Sequence, residues 1–227
     1  MINQTLPQWL REEIEKMRPM SPRKRWEHFW TYYKIHTLLV LGGIVLLFGF
    51  LSAQIHAGKE VLISGIFLNT DTRAEGYTYL SDGYWKHCGG NKQQRVDMIE
   101  TLMIDFSKGV VADDSADRIM QVDALIAAKT LDYMILDETA LEFYAPQELC
   151  MDLTQVLSPE QLERLRENIV TVYGLERKED YAAAIDITNS AFAKKFGLTK
   201  APTYLVVVCN APAAENIPEF LDYLLQG

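Results

Sequence analysis

Hydrophobic residues fall into one long uninterrupted run near the N-terminus and a later series of short runs. Residues 35–54 (IHTLLVLGGIVLLFGFLSAQ) contain no Asp, Glu, Lys or Arg. A helix of about 20 apolar residues crosses the ~30 Å hydrocarbon core of a bilayer, whereas a helix on the surface of a globular core keeps a polar face. The pattern therefore predicts one transmembrane helix at residues 35–55.

The segment before this run has the composition of a membrane interface. Trp26, Phe29, Trp30 and Tyr33 recur at helical spacing, and aromatic rings are enriched at headgroup depth. We expect the helix to begin near Pro22, because proline suits the first helical position. The residues expected at the membrane interface are Arg23, Lys24, Arg25, Trp26, Trp30, Tyr33 and Lys34.

Charge is distributed unevenly around the apolar run. Residues 1–34 carry +3 and the remainder carries −12, in a chain whose formal net charge is −9. Because basic flanks stay in the cytoplasm, we predict a single-pass signal-anchor protein of the plasma membrane, with a cytoplasmic segment 1–34 and an extracytoplasmic domain 59–227. A cleavable signal peptide is the alternative, although its n-region would be unusually long. The acidic domain indicates no nucleic-acid partner, since phosphate binding needs a basic face.

The later short runs predict an α/β domain. Predicted strands lie at 61–68, within 94–106, and at 131–136, 183–188 and 203–209, and predicted helices lie near 78–88, 115–129 and 138–144, from 158, and from 216. Ser158, Pro159 and Gln161 have the pattern of an N-cap, a first helical residue and a capping box. The β–α–β succession predicts a single, mostly parallel (mixed) sheet of about five strands with helices on both faces.

No group of residues has the spacing of a known catalytic or metal site. The chain has no Cys-x-x-Cys, Gly-x-Ser-x-Gly or phosphate-loop motif, and adjacent His87 and Cys88 lack the paired spacing of a zinc site. We therefore predict no enzymatic activity, no cofactor and no metal, with an unrecognised enzyme as the alternative. The sequence leaves open whether two of Cys88, Cys150 and Cys209 form a disulfide, and it favours a buried Cys209 at the end of an apolar strand.

Polar residues follow three of the predicted strands. In open α/β sheets, ligands bind beyond the carboxyl ends of strands and near helix N-termini. The expected ligand-binding residues are Asn69, Asp71 and Thr72 after the first strand, Asp137 and Glu138 after the third, and Thr188, Asn189 and Ser190 after the fourth. Turn formation and helix capping are the alternative roles for each residue. The acidic residues favour a cation or a polyhydroxyl solute over an anion.

Residues 115–157 (SADRIMQVDALIAAKTLDYMILDETALEFYAPQELCMDLTQVL) resemble extracellular (type 2 periplasmic-like) solute-binding proteins. That family often has a helix ending in Ala-Ala-Gly, a Leu-Asp-hydrophobic strand, an acidic turn and a later Leu-x-Asp-Leu. The matching segments here are 126–128, 131–135, 137–138 and 151–153, with Lys129 or Thr130 in place of the family's Gly. The family closes two lobes over its ligand, so the resemblance implies a shortened relative with one lobe. The start at residues 21–26 also resembles small membrane-anchored bacterial proteins of unknown function.

These observations favour a membrane-anchored, non-catalytic, solute-binding-like domain. Its expected partners are membrane lipid and either a small solute or an envelope protein. The alternative is a scaffold or accessory subunit of a bacterial envelope or transporter complex that acts through protein–protein contacts.

Overall fold

The chain divides into two compact units, Met1–Gly58 and Lys59–Gly227. The structure, a computed structural model, describes residues 19, 21–24, 30, 39, 41–47, 49, 59–106 and 114–226. In the first unit, the described residues 22–24, 30, 39, 41–47 and 49 are helical.

The described part of the chain contains no helix that is long and apolar enough to cross a membrane. The predicted transmembrane helix at 35–55 is therefore wrong on the described residues, and so are the signal-anchor topology and the single-pass plasma-membrane location. The other residues of 35–55 lie outside the described ones.

The second unit alternates strands and helices. Its strands are β1 (Glu60–Leu68), β2 (Gln94–Leu102), β3 (Tyr133–Asp137), β4 (Ile169–Tyr173), β5 (Asp180–Asp186) and β6 (Thr203–Val207). Its α-helices are α1 (Ala74–Thr78), α2 (Tyr84–His87), α3 (Asp114–Ala127), α4 (Glu138–Tyr144), α5 (Pro159–Arg164), α6 (Ala191–Phe196) and α7 (Ile217–Gln226). A π-helical segment, Tyr79–Gly83, joins α1 to α2, and 3-10 turns lie at Leu153–Gln155 and Ala214–Asn216.

The six strands form one mixed sheet in the order β2-β1-β3-β6-β5-β4. β1 pairs in parallel with β2 and β3, whereas β3–β6, β6–β5 and β5–β4 are antiparallel. The prediction of a mostly parallel sheet of about five strands is therefore wrong. The segment between β5 and β6 begins and ends at the same end of the sheet, because the Ile187 N–H just after β5 donates to Thr203 O at the start of β6 at 3.0 Å. β6 therefore runs antiparallel to β5.

Helices cover both faces of the sheet. On one face α3 and α4 bury Ile119, Val122 and Tyr144 against Met134 of β3. On the other face the helical segment after β1, together with α6 and α7, buries an aromatic-rich layer that includes Phe220. The central strands β1 and β3 are nearly continuous apolar runs because both of their faces are buried.

A glycine in β1 makes room for an aromatic ring of β3. Gly65 is paired with Tyr133, and a Cβ at residue 65 would lie 2.1 Å from that ring. The fully buried Tyr133 ring packs in turn on Phe220 of α7, with centroids 4.4 Å apart. A side chain at position 65 would therefore displace the Tyr133 ring and disturb its packing on Phe220.

The structure tests three local features predicted or left open by the sequence. Ser158 accepts from the Gln161 N–H, and the Gln161 side chain accepts from the Ser158 N–H, so the predicted capping box is present. All three cysteines are free thiols. Cys150 is buried, and the prediction of a buried Cys209 is wrong, because this residue is exposed just beyond the end of β6.

Candidate functional site

The carboxyl ends of β1 and β3 lie at a topological switch point of the sheet. The chain leaves β1 towards the segment that contributes Leu80 and Tyr84 to one core layer. It leaves β3 into α4, which contributes Leu141 and Tyr144 to the other layer. Connections that diverge to opposite faces leave a crevice beyond the strand ends, where open α/β sheets bind their ligands.

Asn69 connects the ends of the parallel strands at this point. Its Nδ2 donates to Ile104 O at 2.8 Å and to Thr139 Oγ1 at 3.2 Å, and its Oδ1 accepts from the Ile104 N–H at 2.6 Å. The residue is 8% exposed and has a φ of 56°, a left-handed conformation that asparagine tolerates better than most residues. Asn69 therefore fixes the loop after β2 against the loops after β1 and β3.

Asp137 combines a structural role with a position in the crevice. Its Oδ1 accepts from the Ala140 N–H at 3.0 Å and from Thr139 Oγ1 at 2.8 Å, which caps the N-terminus of α4. A capped carboxylate has little rotational freedom, so its second oxygen is held in a defined position at the strand end.

An open cleft of about 540 Å³ occupies the switch point. Its lining residues are Asn69, Met103, Ile104, Asp105, Ser115, Arg118, Asp137, Thr139 and Lys200. We call this region the switch-point cleft. The cleft contains two carboxylates and two cationic side chains beside Met103, which is 47% exposed. Its volume lies within the usual range for small-molecule sites.

Two of the predicted ligand-binding residues, Asn69 and Asp137, line this cleft together. Two other predicted residues, Asp71 and Thr72, make internal hydrogen bonds near the carboxyl end of β1. Asp71 Oδ1 accepts from the Thr72 N–H and from the Tyr77 hydroxyl, both at 2.7 Å, and Thr72 Oγ1 donates to Gly197 O at 2.9 Å. These hydrogen bonds hold the loop after β1 in place, and neither Asp71 nor Thr72 lines the cleft.

The other predicted residues also have local roles. Thr188 Oγ1 accepts from the Thr203 N–H at 2.9 Å, and Ser190 caps α6. Asn189 is exposed in the turn between them, and Glu138 is the first residue of α4. None of these four residues lines the switch-point cleft.

The sequence pattern did not indicate the cleft residues contributed by other segments. Ser115 and Arg118 belong to the first turns of α3: Ser115 Oγ accepts from the Asp105 N–H at 3.2 Å, and the Arg118 guanidinium donates to Met103 O. Lys200 comes from the connection that precedes β6. The predicted helix start at Ser115 could have indicated this residue as part of the cleft. Lys200 reaches the cleft because β6 runs antiparallel to β5, which no local pattern indicated.

Only part of the predicted membrane-interface set is described. Arg23 and Lys24 lie in the helical residues 22–24, and Trp30 is helical and 54% exposed. Arg25, Trp26, Tyr33 and Lys34 lie outside the described residues.

A partly buried hydroxyl network links the loop after β1 to β2. The Tyr77 hydroxyl donates to Asp71 and also contacts Thr101 Oγ1. Burial, together with the neighbouring Asp71, raises the pKa of Tyr77 to about 12. The Tyr77 hydroxyl therefore keeps its proton at neutral pH and acts as a structural donor.

The described residues offer no set of metal ligands and no activated thiol. No group of three or more His, Cys, Asp or Glu among them could hold a metal ion. Burial raises the pKa of the Cys88 thiol, whereas a nucleophilic cysteine needs a lowered pKa. The lining of the switch-point cleft contains neither histidine nor cysteine.

A second cavity, of about 380 Å³, lies at the opposite end of the parallel strands, near the N-termini of β1 and β3. Its floor includes Asp132, which is fully buried. The Asp132 carboxylate accepts from the Ser64 N–H at 2.7 Å and from the Ala213 N–H at 2.7 Å. These bonds connect the middle of β1 and the residue before β3 to the loop after β6, so this carboxylate has a structural role.

Comparison with protein-family models, with curated proteins and with solved structures finds no match to this chain.

Proposed function

We propose that the second unit is a non-catalytic, solute-binding-like module that binds a small polyhydroxyl solute in the switch-point cleft. The observation that carries this proposal is the convergence of Asn69 and Asp137 from adjacent parallel strands on one cleft at the switch point. Both side chains are fixed by internal hydrogen bonds, so little conformational entropy is lost when a solute binds.

The charges of the cleft favour a neutral polyhydroxyl solute over an ion. Asp105 and Asp137 supply acceptors, and Arg118 and Lys200 supply donors. Hydroxyl groups both donate and accept, so they can satisfy both kinds of group at once. The two cations disfavour a bare metal ion, and the two carboxylates disfavour an anion.

An apolar contact completes the site. Met103 is 47% exposed at the cleft, and a flexible thioether adapts to irregular apolar surfaces. The C–H face of a sugar ring or polyol would pack on this side chain. The resemblance of residues 115–157 to solute-binding proteins supports the binding of a small solute.

A thermal-shift screen of the full chain against monosaccharides, oligosaccharides, polyols and amino acids tests the proposal. At a solute concentration of 10 Kd, linkage predicts about 1.4 kcal/mol of stabilisation, or roughly 3–6 °C in Tm for a domain of this size. No shift with any of these solutes would contradict the proposal and would favour the alternative of a protein partner.

Two matched variants locate the site. Asp137→Asn removes one charge but keeps a residue that caps helices well, and we expect it to weaken binding by about tenfold or more. Asp186→Asn makes the same change at the end of β5, outside the cleft lining, and should bind like the unaltered protein. Equal affinities for both variants would place binding elsewhere.

A further inference from the structure

Lys200 and Asp137 both line the switch-point cleft but form no direct ion pair with each other. Asp137 uses its Oδ1 to cap α4. Within the part of the chain that the structure describes, no hydrogen bond or ion pair involves the Lys200 ammonium. The cleft therefore presents a donor group and an acceptor oxygen that a solute hydroxyl can connect, because a hydroxyl both accepts and donates.

The backbone of Lys200 is held on both sides. The Thr199 N–H donates to Asp71 O, in the loop after β1, at 3.0 Å. Thr203 Oγ1, at the start of β6, donates to Lys200 O at 2.7 Å. A lysine side chain is flexible, but these bonds fix the backbone from which it extends. They therefore limit the region that the ammonium group can reach.

The loop after β1 also binds the end of α6. Arg73 donates from Nε to Phe196 O at 2.5 Å and from Nη2 to Lys195 O at 3.2 Å. Both carbonyl groups belong to the last turn of α6, where carbonyl groups lack partners within the helix and often bond to a basic side chain. Arg73 therefore fixes the start of the connection that leads from α6 to Lys200.

Thr72 fixes the middle of the same connection. Its Oγ1 donates to Gly197 O at 2.9 Å, and Thr72 forms an isolated antiparallel bridge with Leu198. Thr72 is buried, so losing its hydroxyl would leave a carbonyl group short of a partner. We call residues 71–73, with their hydrogen bonds to residues 195–199, the latch.

Given the proposed function, on which this step rests, we infer that Lys200 determines which polyhydroxyl solute the cleft accepts and that the latch positions Lys200. The Lys200 ammonium donates to the oxygen of one solute hydroxyl, and the same hydroxyl donates to the Asp137 carboxylate. Asp71 and Thr72, which do not line the cleft, act through Lys200 as positioning residues.

The solute class is a saccharide or polyol that is recognised at one particular hydroxyl. A site that bonds a hydroxyl on both sides rejects the analogue that lacks it, because the polar groups of the site are then left unpaired. Without the lysine, the loss of that hydroxyl from the solute costs much less. Lys200 therefore contributes discrimination between closely related solutes as well as affinity.

Calorimetric titration of the full chain tests the role of Lys200. The probe is glucose, galactose, mannitol or myo-inositol, whichever raises the Tm most, together with the monodeoxy analogues of that compound. We expect the unaltered protein to bind the probe about tenfold or more tightly than one of its monodeoxy analogues. Lys200→Met should bind the probe about tenfold more weakly and should bind the same analogue with nearly the affinity that it has for the probe.

Lys194→Met is the matched control. Lys194 is an exposed lysine of α6 outside the cleft lining, and its replacement should leave both affinities unchanged. If the unaltered protein binds the probe and Lys200→Met binds it equally well, the role of Lys200 is overturned while the proposed function stands. If no probe binds to the unaltered protein, the proposed function is overturned and the role of Lys200 with it.

A double-mutant cycle tests the latch. Arg73 is exposed, and we expect Arg73→Ala to weaken binding of the probe about threefold or more. Because Arg73 acts through Lys200, the Arg73→Ala change should have no further effect in a Lys200→Met background. Arg73→Lys, which keeps one donor for the α6 carbonyl groups, should recover part of the affinity.

Thr72→Val provides a second latch variant, because it removes one hydroxyl and nearly keeps the shape of the side chain. It should show the same loss of affinity alone and the same absence of effect beside Lys200→Met. Equal weakening by a latch variant in both backgrounds, or no weakening in either, would overturn the positioning role of the latch.

Discussion

At the scale of single residues, one buried asparagine organises the candidate site. Asn69 bonds to both backbone groups of Ile104 and to Thr139, and it occupies a left-handed conformation. Its neighbours in the cleft depend on it, because Ile104 is itself buried and both of its backbone polar groups bond to Asn69. Asn69 is thus a structural support for the cleft as well as part of its lining.

Two substitutions of Asn69 should distinguish the stability contributed by its hydrogen bonds from the effect of its left-handed backbone conformation. Asn69→Ala leaves the Ile104 N–H and C=O unpaired and places a Cβ residue at positive φ, so we expect a loss of about 2–4 kcal/mol in the free energy of unfolding. Asn69→Gly loses the same hydrogen bonds but adopts the positive φ without strain. Its free energy of unfolding should therefore be about 1 kcal/mol higher than that of Asn69→Ala. Urea denaturation measures both.

The control for this pair is an asparagine without a buried role. Asn189→Ala changes an exposed turn residue and should alter the free energy of unfolding by at most about 0.5 kcal/mol. If Asn69→Ala were as mild as Asn189→Ala, Asn69 would not organise the cleft.

At the scale of elements, a carboxylate fastens the β4–β5 hairpin. Glu148 Oε1 accepts from the Arg177 N–H at 2.6 Å and from the Glu176 N–H at 2.9 Å. These bonds, with the Arg177 guanidinium, lower the pKa of Glu148, because they favour the charged carboxylate. The hairpin is therefore held by a carboxylate that is kept in its charged form by these contacts.

The lowered pKa of Glu148 makes these contacts sensitive to acid. Because the folded pKa lies below the unfolded value of about 4.3, the stabilisation is complete above that value and is lost as pH falls through the folded pKa. Glu148→Gln should therefore be less stable than the unaltered protein at pH 7, and the difference should shrink as pH falls below about 4. Urea denaturation at several pH values measures it.

Glu179→Gln is the control in the same hairpin. Its side chain is exposed, so its effect should be small at every pH tested. A Glu148→Gln difference that stayed constant from pH 7 to pH 3 would show that the carboxylate charge does not hold the hairpin.

At the scale of the whole molecule, the sequence predicts the central strands better than their arrangement. The apolar runs around Ile66 and Met134 indicated β1 and β3, because strands buried on both faces need apolar residues at every position. The reversed direction of β6 was not predicted, since a local pattern carries no information on strand direction. The segment at 169–173 is short and was missed.

The candidate site was partly predictable for the same reason. Asn69 and Asp137 directly follow buried strands, so the rule for open sheets identified them. Lys200 and Arg118 reach the cleft through tertiary contacts between distant segments, which single-sequence patterns do not encode. The apolar run at 35–54 led to a transmembrane prediction that the described residues contradict.

Solute binding in the switch-point cleft is tested most directly by locating the bound solute on the full chain. Amide NMR of the isotopically labelled protein, titrated with a saccharide or polyol found in the thermal-shift screen, reports which residues respond. We expect saturable shifts centred on Asn69, Ile104 and Asp137 around the switch-point cleft. Shifts centred on Asp132 in the opposite cavity, or no saturable shifts at the cleft, would contradict it.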